Sequence, residues 1–269
     1  TYPNTSPLSA KGFILDLLRM TKGQPLPVSV LVAAAELVSL NGNAVRVNLN
    51  RMQGRGEVQL DKRGLYSLGP TVEEVTSWLD QWEKGEKRVK VWDGSWLLLA
   101  ACKTMKSKAL LSLGKTARNF GFREVQAGSY IRPNNLTRSS EAIARQVASL
   151  SLDNDFCIAQ VQAFYSPKQP VDLTALWDRS ALEGSYRHAI EIIQQGIDTA
   201  DSLNGEEKFR DSYFLGAEIN HLLAVDPLLP SELVDAQLRE QTVALFSEYY
   251  LHYKSAWADV FGTSNYSVE

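Results

Sequence analysis

The sequence predicts an α+β chain in three parts. These are an N-terminal winged helix-turn-helix over residues 1–70, a linker helix plus ferredoxin-like domain over 71–168, and a mostly helical C-terminal domain over 169–269. Three observations predict it. Ahead of Pro70 the apolar spacing reads helix, helix, short turn, helix, then a hairpin. From Thr71 to Lys168 it reads β-α-β-β-α-β after one leading helix. From Leu173 onward only helical periodicity remains. The 269 residues are 44% hydrophobic and 22% charged, which is globular composition and excludes a disordered chain.

The first helix starts at Ser9 and carries Phe13, Ile14, Leu17 and Leu18 on one face, until Gly23 and Pro25 break it. Pro27 suits the first turn of a second helix with Val30, Leu31, Ala34 and Leu37. After the turn Leu40-Asn41-Gly42, Asn41 or Asn43 can cap a third helix in which Val45, Leu49 and Met52 point inward. Its opposite face shows Asn43, Arg46, Val47, Asn50 and Arg51. Gly54-Arg55-Gly56 leads into strands Val58 to Leu60 and Leu65 to Leu68, joined by Asp61-Lys62-Arg63-Gly64. This order suits double-stranded DNA. A helix fits the major groove, Arg and Asn make bidentate bonds to guanine and adenine, and a basic hairpin tip neutralises phosphates. Asn43, Arg46 and Asn50 are the expected base readers, with Val47 on the same face; Arg51, Lys62 and Arg63 are the expected phosphate contacts. From the residues alone, a plain solvated face or a protein-interaction module stays open.

Thr71 can cap the linker helix, whose stripe is Val72, Val75, Leu79 and Trp82. The ferredoxin-like order then runs through the apolar strand Trp96 to Cys102, a helix from Lys108 to Asn119 with Leu110, Leu111 and Leu113, and strands Glu124 to Ala127 and Ser129 to Ile131. A helix Ser139 to Leu150 and the strand Phe156 to Ala163 complete it. In the last third, Leu182, Tyr186, Ile190 and Ile193 form one stripe, another helix begins near Phe209, and Leu238, Val243, Phe246, Tyr250 and Tyr253 form a final one.

The net charge of −3 hides a division. Residues 1–70 hold 8 basic and 4 acidic residues, 71–168 hold 14 and 10, and 169–269 hold 6 and 17, giving +4, +4 and −11. The basic segments suit a polyanion, and the acidic third is expected to stand away from it. The cations Lys103, Lys106, Lys108, Lys115 and Arg118 mark a possible docking surface for a phosphate-bearing effector, with an ordinary solvated helix as the other reading.

Catalytic signals are weak, and no catalytic residue, metal site or cofactor is expected. Gly114-Lys115-Thr116 lacks the phosphate-loop glycine five residues earlier, where Ala109 stands. His188, His221 and His252 lack the spacing of a zinc motif. Glu73-Glu74 and Glu206-Glu207 read as solvated helix faces. Asp93 stands just ahead of a strand, so a metal-dependent nuclease is a distant alternative, but Asp93-Gly94 between tryptophans reads better as a tight turn. Cys102 and Cys157 lie far apart in apolar strand-like segments and are expected to be buried free thiols in a reducing cytoplasm. Residues Thr1 to Lys11 show no secretory signal, and no apolar run approaches the ~20 residues of a membrane span.

Several motifs resemble the PaaX-like family of bacterial transcriptional repressors. They are Asn43-Ala44-Val45-Arg46, Leu49-Asn50-Arg51-Met52, Val91-Trp92-Asp93-Gly94-Ser95-Trp96-Leu97, Gly121-Phe122-Arg123, Gly128-Ser129-Tyr130-Ile131-Arg132-Pro133, Leu176-Trp177-Asp178 and Asp226-Pro227-Leu228-Leu229-Pro230. The resemblance implies a cytoplasmic homodimer that binds operator DNA of a catabolic operon through its winged helix and is released by a small effector, an aryl- or acyl-CoA thioester in the founding members. Where the family carries an Arg-rich stretch, this chain reads Glu218-Ile219-Asn220-His221-Leu222-Leu223, and Val234-Asp235-Ala236-Gln237-Leu238 replaces a Trp-Pro-Gly-type signature. The resemblance therefore implies a repressor more strongly than a particular effector.

Overall fold

The computed structural model describes residues 8–21, 23–72, 80–165, 167 and 172–262, without the side chains of 80–83. Val75, Leu79, the pair Glu73-Glu74, the boundary at Lys168 and the side chain of Trp82 lie outside the described residues. The architecture is mixed α+β, with two antiparallel sheets and a helical C-terminal region. By contact the chain divides into two compact units. Unit 1 comprises Thr1–Gln81, Glu191–Asn220 and Leu245–Glu269; unit 2 comprises Trp82–Ile190 and His221–Ala244.

Unit 1 begins with α1 (Ala10–Met20), capped by Ser9, whose Oγ accepts from Gly12 N at 3.0 Å. The expected stripe Phe13, Ile14, Leu17 and Leu18 is buried. Helix α2 (Val28–Leu37) starts one residue later than the sequence suggests, because Pro27 is its N-cap and also belongs to β1 (Leu26–Pro27). That two-residue strand pairs with β3 (Leu65–Leu68), which pairs in turn with β2 (Val58–Lys62), giving the order β1-β3-β2. Between β2 and β3 only Arg63 and Gly64 turn the hairpin, so Lys62 is the last residue of a strand rather than a loop residue. Thr71 lies inside a helical turn that starts at Pro70 rather than capping it, and its hydroxyl donates to Gly56 O at 2.5 Å.

The first three helices do not close this core alone. Parts of α6 (Arg179–Thr199), α7 (Gly205–Ala224) and α8 (Ala236–Phe261) belong to the same unit. Phe13 packs on Tyr213 with ring centroids 5.1 Å apart, and the Tyr213 hydroxyl donates to Asp16 at 3.2 Å. Phe209 packs on Trp257, whose indole N–H donates to Ser212 Oγ at 2.7 Å. The buried stripe of α8 runs Phe246, Tyr249, Tyr253, Ala256 and Trp257, so Tyr249 takes the inward place expected of the half-buried Tyr250.

Unit 2 is built on a four-stranded sheet of order β5-β6-β4-β7, all antiparallel, from β4 (Trp96–Ala101), β5 (Arg123–Gln126), β6 (Ser129–Pro133) and β7 (Phe156–Val161). Helices α4 (Ser107–Asn119) and α5 (Ser140–Leu150) pack on one face, where Leu97, Leu99, Tyr130, Leu113, Ala117, Ile143 and Val147 form a core. Leu111 of α4 is exposed, while Leu113, Gly114, Thr116 and Ala117 take the inward positions. Gly114 lets α4 approach the sheet, since a Cβ there would stand 2.7 Å from the Tyr130 hydroxyl. The Gly-Lys-Thr run is thus a helix-packing feature. On the other face, Trp96 and Ile131 meet Leu173, Trp177, Tyr186, Leu229 and Val234.

The segment Asp226–Leu229 is held to this sheet by buried polar groups. The fully buried Arg132 guanidinium donates to Phe120 O, to Pro133 O at 3.1 Å, to Pro227 O at 3.1 Å and to Asn135 Oδ1 at 3.3 Å. Burial pulls it down to about 9, with the nearby Asp226 carboxylate opposing the shift. Asn135 donates to Leu228 O at 2.7 Å, and Arg239 binds Glu86 bidentately at 2.7 and 2.8 Å while reaching Leu229 O at 3.0 Å. Tyr186 donates to Asp226 Oδ2 at 2.5 Å.

Two outcomes follow. A Cβ at Gly69 would stand 2.1 Å from the Gly56 carbonyl oxygen, so Gly69→Ala must push the two backbone segments apart and should cost about 3 kcal/mol in denaturant unfolding. The Tyr186 phenol is pushed up chiefly by burial and then by the Asp226 charge, so folding holds its proton on. Its stabilisation is complete below pH ~10, where the unfolded phenol titrates, and declines as pH rises beyond that. Tyr186→Phe should lose about 2 kcal/mol at neutral pH and flatten the alkaline decline, read by unfolding curves across pH.

Candidate nucleic-acid interface

The candidate face lies on α3 (Gly42–Gly54). Asn41 caps this helix, its side chain accepting from Asn43 N at 2.8 Å. Ahead of it, α2 ends with Ser39 at positive φ, while Leu40 N bonds Ala35 O at 2.8 Å and Ser39 N bonds Glu36 O at 3.0 Å. That paired closure stops α2 abruptly and redirects the chain into α3. Val45, Leu49 and Met52 are buried against α1 and α2, as the spacing predicts. Because they occupy one stripe, Asn43, Arg46, Val47, Asn50 and Arg51 are left on the opposite one, and all five are exposed.

Among the described residues, none of Arg46, Asn50, Arg51, Lys62 and Arg63 is engaged by a carboxylate within salt-bridge distance or by a side-chain hydrogen bond. Asn48, on the flank, is turned back onto its own helix, donating to Ala44 O at 2.9 Å. Lys11 is likewise committed, to Glu57 at 2.6 Å. Lys62 and Arg63 are exposed at the end of the β2–β3 hairpin, and α3 packs directly on β2. The sequence pattern marks Arg55 only as a member of a helix break. It caps the C-terminus of α3 with an exposed side chain and adds a cation between α3 and the hairpin. Its position between two glycines was the available signal.

Charge by segment does not carry over to charge by unit. Unit 1 holds 11 basic and 17 acidic residues, a net of −6, and unit 2 holds 17 and 14, a net of +3. The acidic third is not one separate body: residues 191–220 and 245–269 share unit 1 with α3. Acidic residues are nevertheless sparse along the first 70 positions, where only Asp16, Glu36, Glu57 and Asp61 occur.

Elsewhere, Asp93 Oδ1 accepts from Ser95 N at 2.9 Å and Ser95 Oγ at 2.6 Å, and these bonds hold its carboxyl below the usual range. With Gly94 at positive φ, this is the tight turn the sequence suggests. Lys103, Lys106, Lys108, Lys115 and Arg118 are all exposed, with Lys103 paired to Asp155 at 3.2 Å. His188, His221 and His252 are exposed on separate helices, and among the described residues no group of three or more His, Cys, Asp or Glu side chains is placed to hold a metal. Cys102 and Cys157 are free, as expected, but both are exposed, which corrects the expectation of buried thiols. They lie on the sheet face away from α4 and α5, which the apolar sequence did not distinguish from the covered one. No described helix is long and apolar enough to cross a membrane.

No protein-family model matches the chain, and no curated protein sequence matches it. Among solved structures it is similar to the uncharacterized protein Rv0674 from Mycobacterium tuberculosis. The two share 19% sequence identity and a TM-score of 0.62, over 94% of this chain and 98% of that one. At that identity the likeness concerns the fold.

Proposed function

We propose that this chain is a DNA-binding transcriptional regulator, a repressor of the PaaX-like kind its motifs resemble. In this reading α1–α3 with the β2–β3 hairpin form a winged helix-turn-helix. The β-α-β-β-α-β unit with its β5-β6-β4-β7 order is a ferredoxin-like domain. The protein acts as a cytoplasmic homodimer on operator DNA of a catabolic operon, and a small effector, an aryl- or acyl-CoA thioester in the resembling family, releases it. The reading gives it no reaction to catalyse and no resident cofactor.

One observation carries the proposal. A single exposed face of α3 presents two asparagines, two arginines and a valine, while its buried face is wholly apolar, and the adjoining hairpin ends in Lys62 and Arg63. Asn43, Arg46 and Asn50 offer the bidentate donors that purine edges require, and Val47 offers an apolar contact for a thymine methyl. Arg51, Arg55, Lys62 and Arg63 supply the phosphate contacts that fix register.

Selection of bound duplexes from a random pool should enrich a two-half-site sequence, as expected of a dimer. On that sequence Arg46→Ala should cost about 1–3 kcal/mol and relax preference at one position. Lys62→Ala should weaken all sequences about equally and lower the salt slope by about one. Gel-shift titrations at several salt concentrations separate these outcomes. With no enriched sequence and unchanged affinity in both variants, α3 would be an interaction surface of another kind.

A further inference from the structure

The pairing of β4 with β7 sets Ala100 opposite Cys157 and Ala101 opposite Phe156. One step further, Cys102 N donates to Asp155 O at 2.8 Å, so the antiparallel register continues past the strand end. Cys102 is therefore the diagonal neighbour of Cys157 on the same sheet face, because side chains alternate with a period of two. Both thiols are exposed; on that face Cys157 stands opposite Ala100, and Cys102 opposite Asp155, whose carboxylate is paired with Lys103 at 3.2 Å. The register places the Cys102 thiol beside the Cys157 side chain, and Cys157 is the largest of the influences that raise it above an ordinary thiol. Cys102 Sγ itself donates within its own strand, to Ala100 O at 4.0 Å.

We propose that Cys102 and Cys157 form an oxidisable dithiol that closes to an intramolecular disulfide on reaction with a low-molecular-weight disulfide such as oxidised glutathione. The Cys157 thiolate attacks one sulfur of the small disulfide. That S–S bond breaks, and the first glutathione leaves as a thiolate, taking up the proton Cys157 released. The Cys102 sulfur, its proton lost to water, then attacks Cys157 in the mixed disulfide, and the second glutathione leaves. Two electrons pass from the protein thiols to the small disulfide, which ends as two glutathione thiols.

Placement by the fold makes the second step fast, since the attacking sulfur is already beside its target. Diagonal neighbours stand about 7–8 Å apart at Cα, slightly beyond the usual disulfide span. Cys102 is the first residue after β4 and lies in the bend at 102–103, which can supply the remaining approach without disturbing the strand pairs. A bond closed this way and left exposed is of the labile kind, so it should form and reopen with the glutathione ratio.

The test uses the full chain equilibrated in glutathione buffers from reduced to oxidised. In oxidised glutathione the wild type should lose both free thiols together, lose two hydrogens in intact mass, and carry no glutathione. A non-reducing digest should yield one cross-linked peptide joining Cys102 to Cys157, and reduced glutathione should reverse all of this. Cys102→Ser, at an exposed position, should instead stop with a single glutathione on Cys157. A wild type that ends with glutathione on either cysteine, as cross-linked copies, or with both thiols free overturns the proposal.

Discussion

A guanidinium without access to water must find hydrogen-bond acceptors within the protein, and in unit 2 that requirement fixes the geometry around Arg132. Its donors are spread over the end of β6, the end of α4 and the segment Asp226–Leu229, so three stretches distant in sequence meet at one planar group. Removing any one acceptor would leave a buried charged donor unsatisfied, a far larger loss than the net value of the bond. Asn135, Tyr186 and Arg239 fasten the same segment from other sides. The apolar contacts of Leu228 with the helix-covered core and of Leu229 with the tryptophan side are then consequences of where the polar groups hold the backbone. Many of the motifs that resemble the repressor family, among them Gly121-Phe122-Arg123, Arg132-Pro133, Trp177 and Asp226–Pro230, meet at this junction. Trp177 joins it by donating to Gly121 O at 3.2 Å.

The candidate interface in unit 1 works by the opposite logic. There the polar side chains are exposed and uncommitted, while the fold spends its hydrogen bonds on the frame: the Asn41 cap, the closure at Ser39, and the tie of Thr71 to Gly56. A rigid frame with free side chains keeps a recognition surface positioned without using up its donors. Asn48 shows the contrast, since its amide is turned back to the helix and its neighbours' are not.

Legibility of these features from sequence followed their range. Elements set by local chemistry are readable: the stripe of α1 and its start at Ser9, the inward triad of α3, and the turn at Asp93-Gly94. The succession of strands and helices along unit 2 is also implied by the alternation of periodicities. What depended on remote partners was not. Strand β1 has two residues and exists only because Leu65 and Tyr66 lie beside it. The exposure of Cys102 and Cys157 is not legible in sequence because an apolar strand looks the same whether one face or both are covered. The division of the C-terminal helices between two units was invisible for a similar reason: periodicity shows that a helix has a partner face, not which partner takes it. The acidic residues of 191–220 and 245–269 likewise return to the unit that contains α3, a placement that charge counted along the chain does not show.

That return has a consequence for the order in which the protein can be made. Unit 1 draws on three stretches of chain, the last beginning at Leu245, and all of unit 2 except residues 221–244 is synthesised between the first and the second. Phe13 and Asp16 emerge early, but their partner Tyr213 follows almost two hundred residues later. At translation rates of about 5–20 residues per second, the N-terminal helices wait roughly ten to forty seconds before their packing can be completed. A nascent chain in that interval presents an unfinished apolar face on α1, while the sheet of unit 2, whose strands all lie between Trp96 and Val161, can already pair. The helix α1, made among the first elements of unit 1, is therefore among the last to be fully packed.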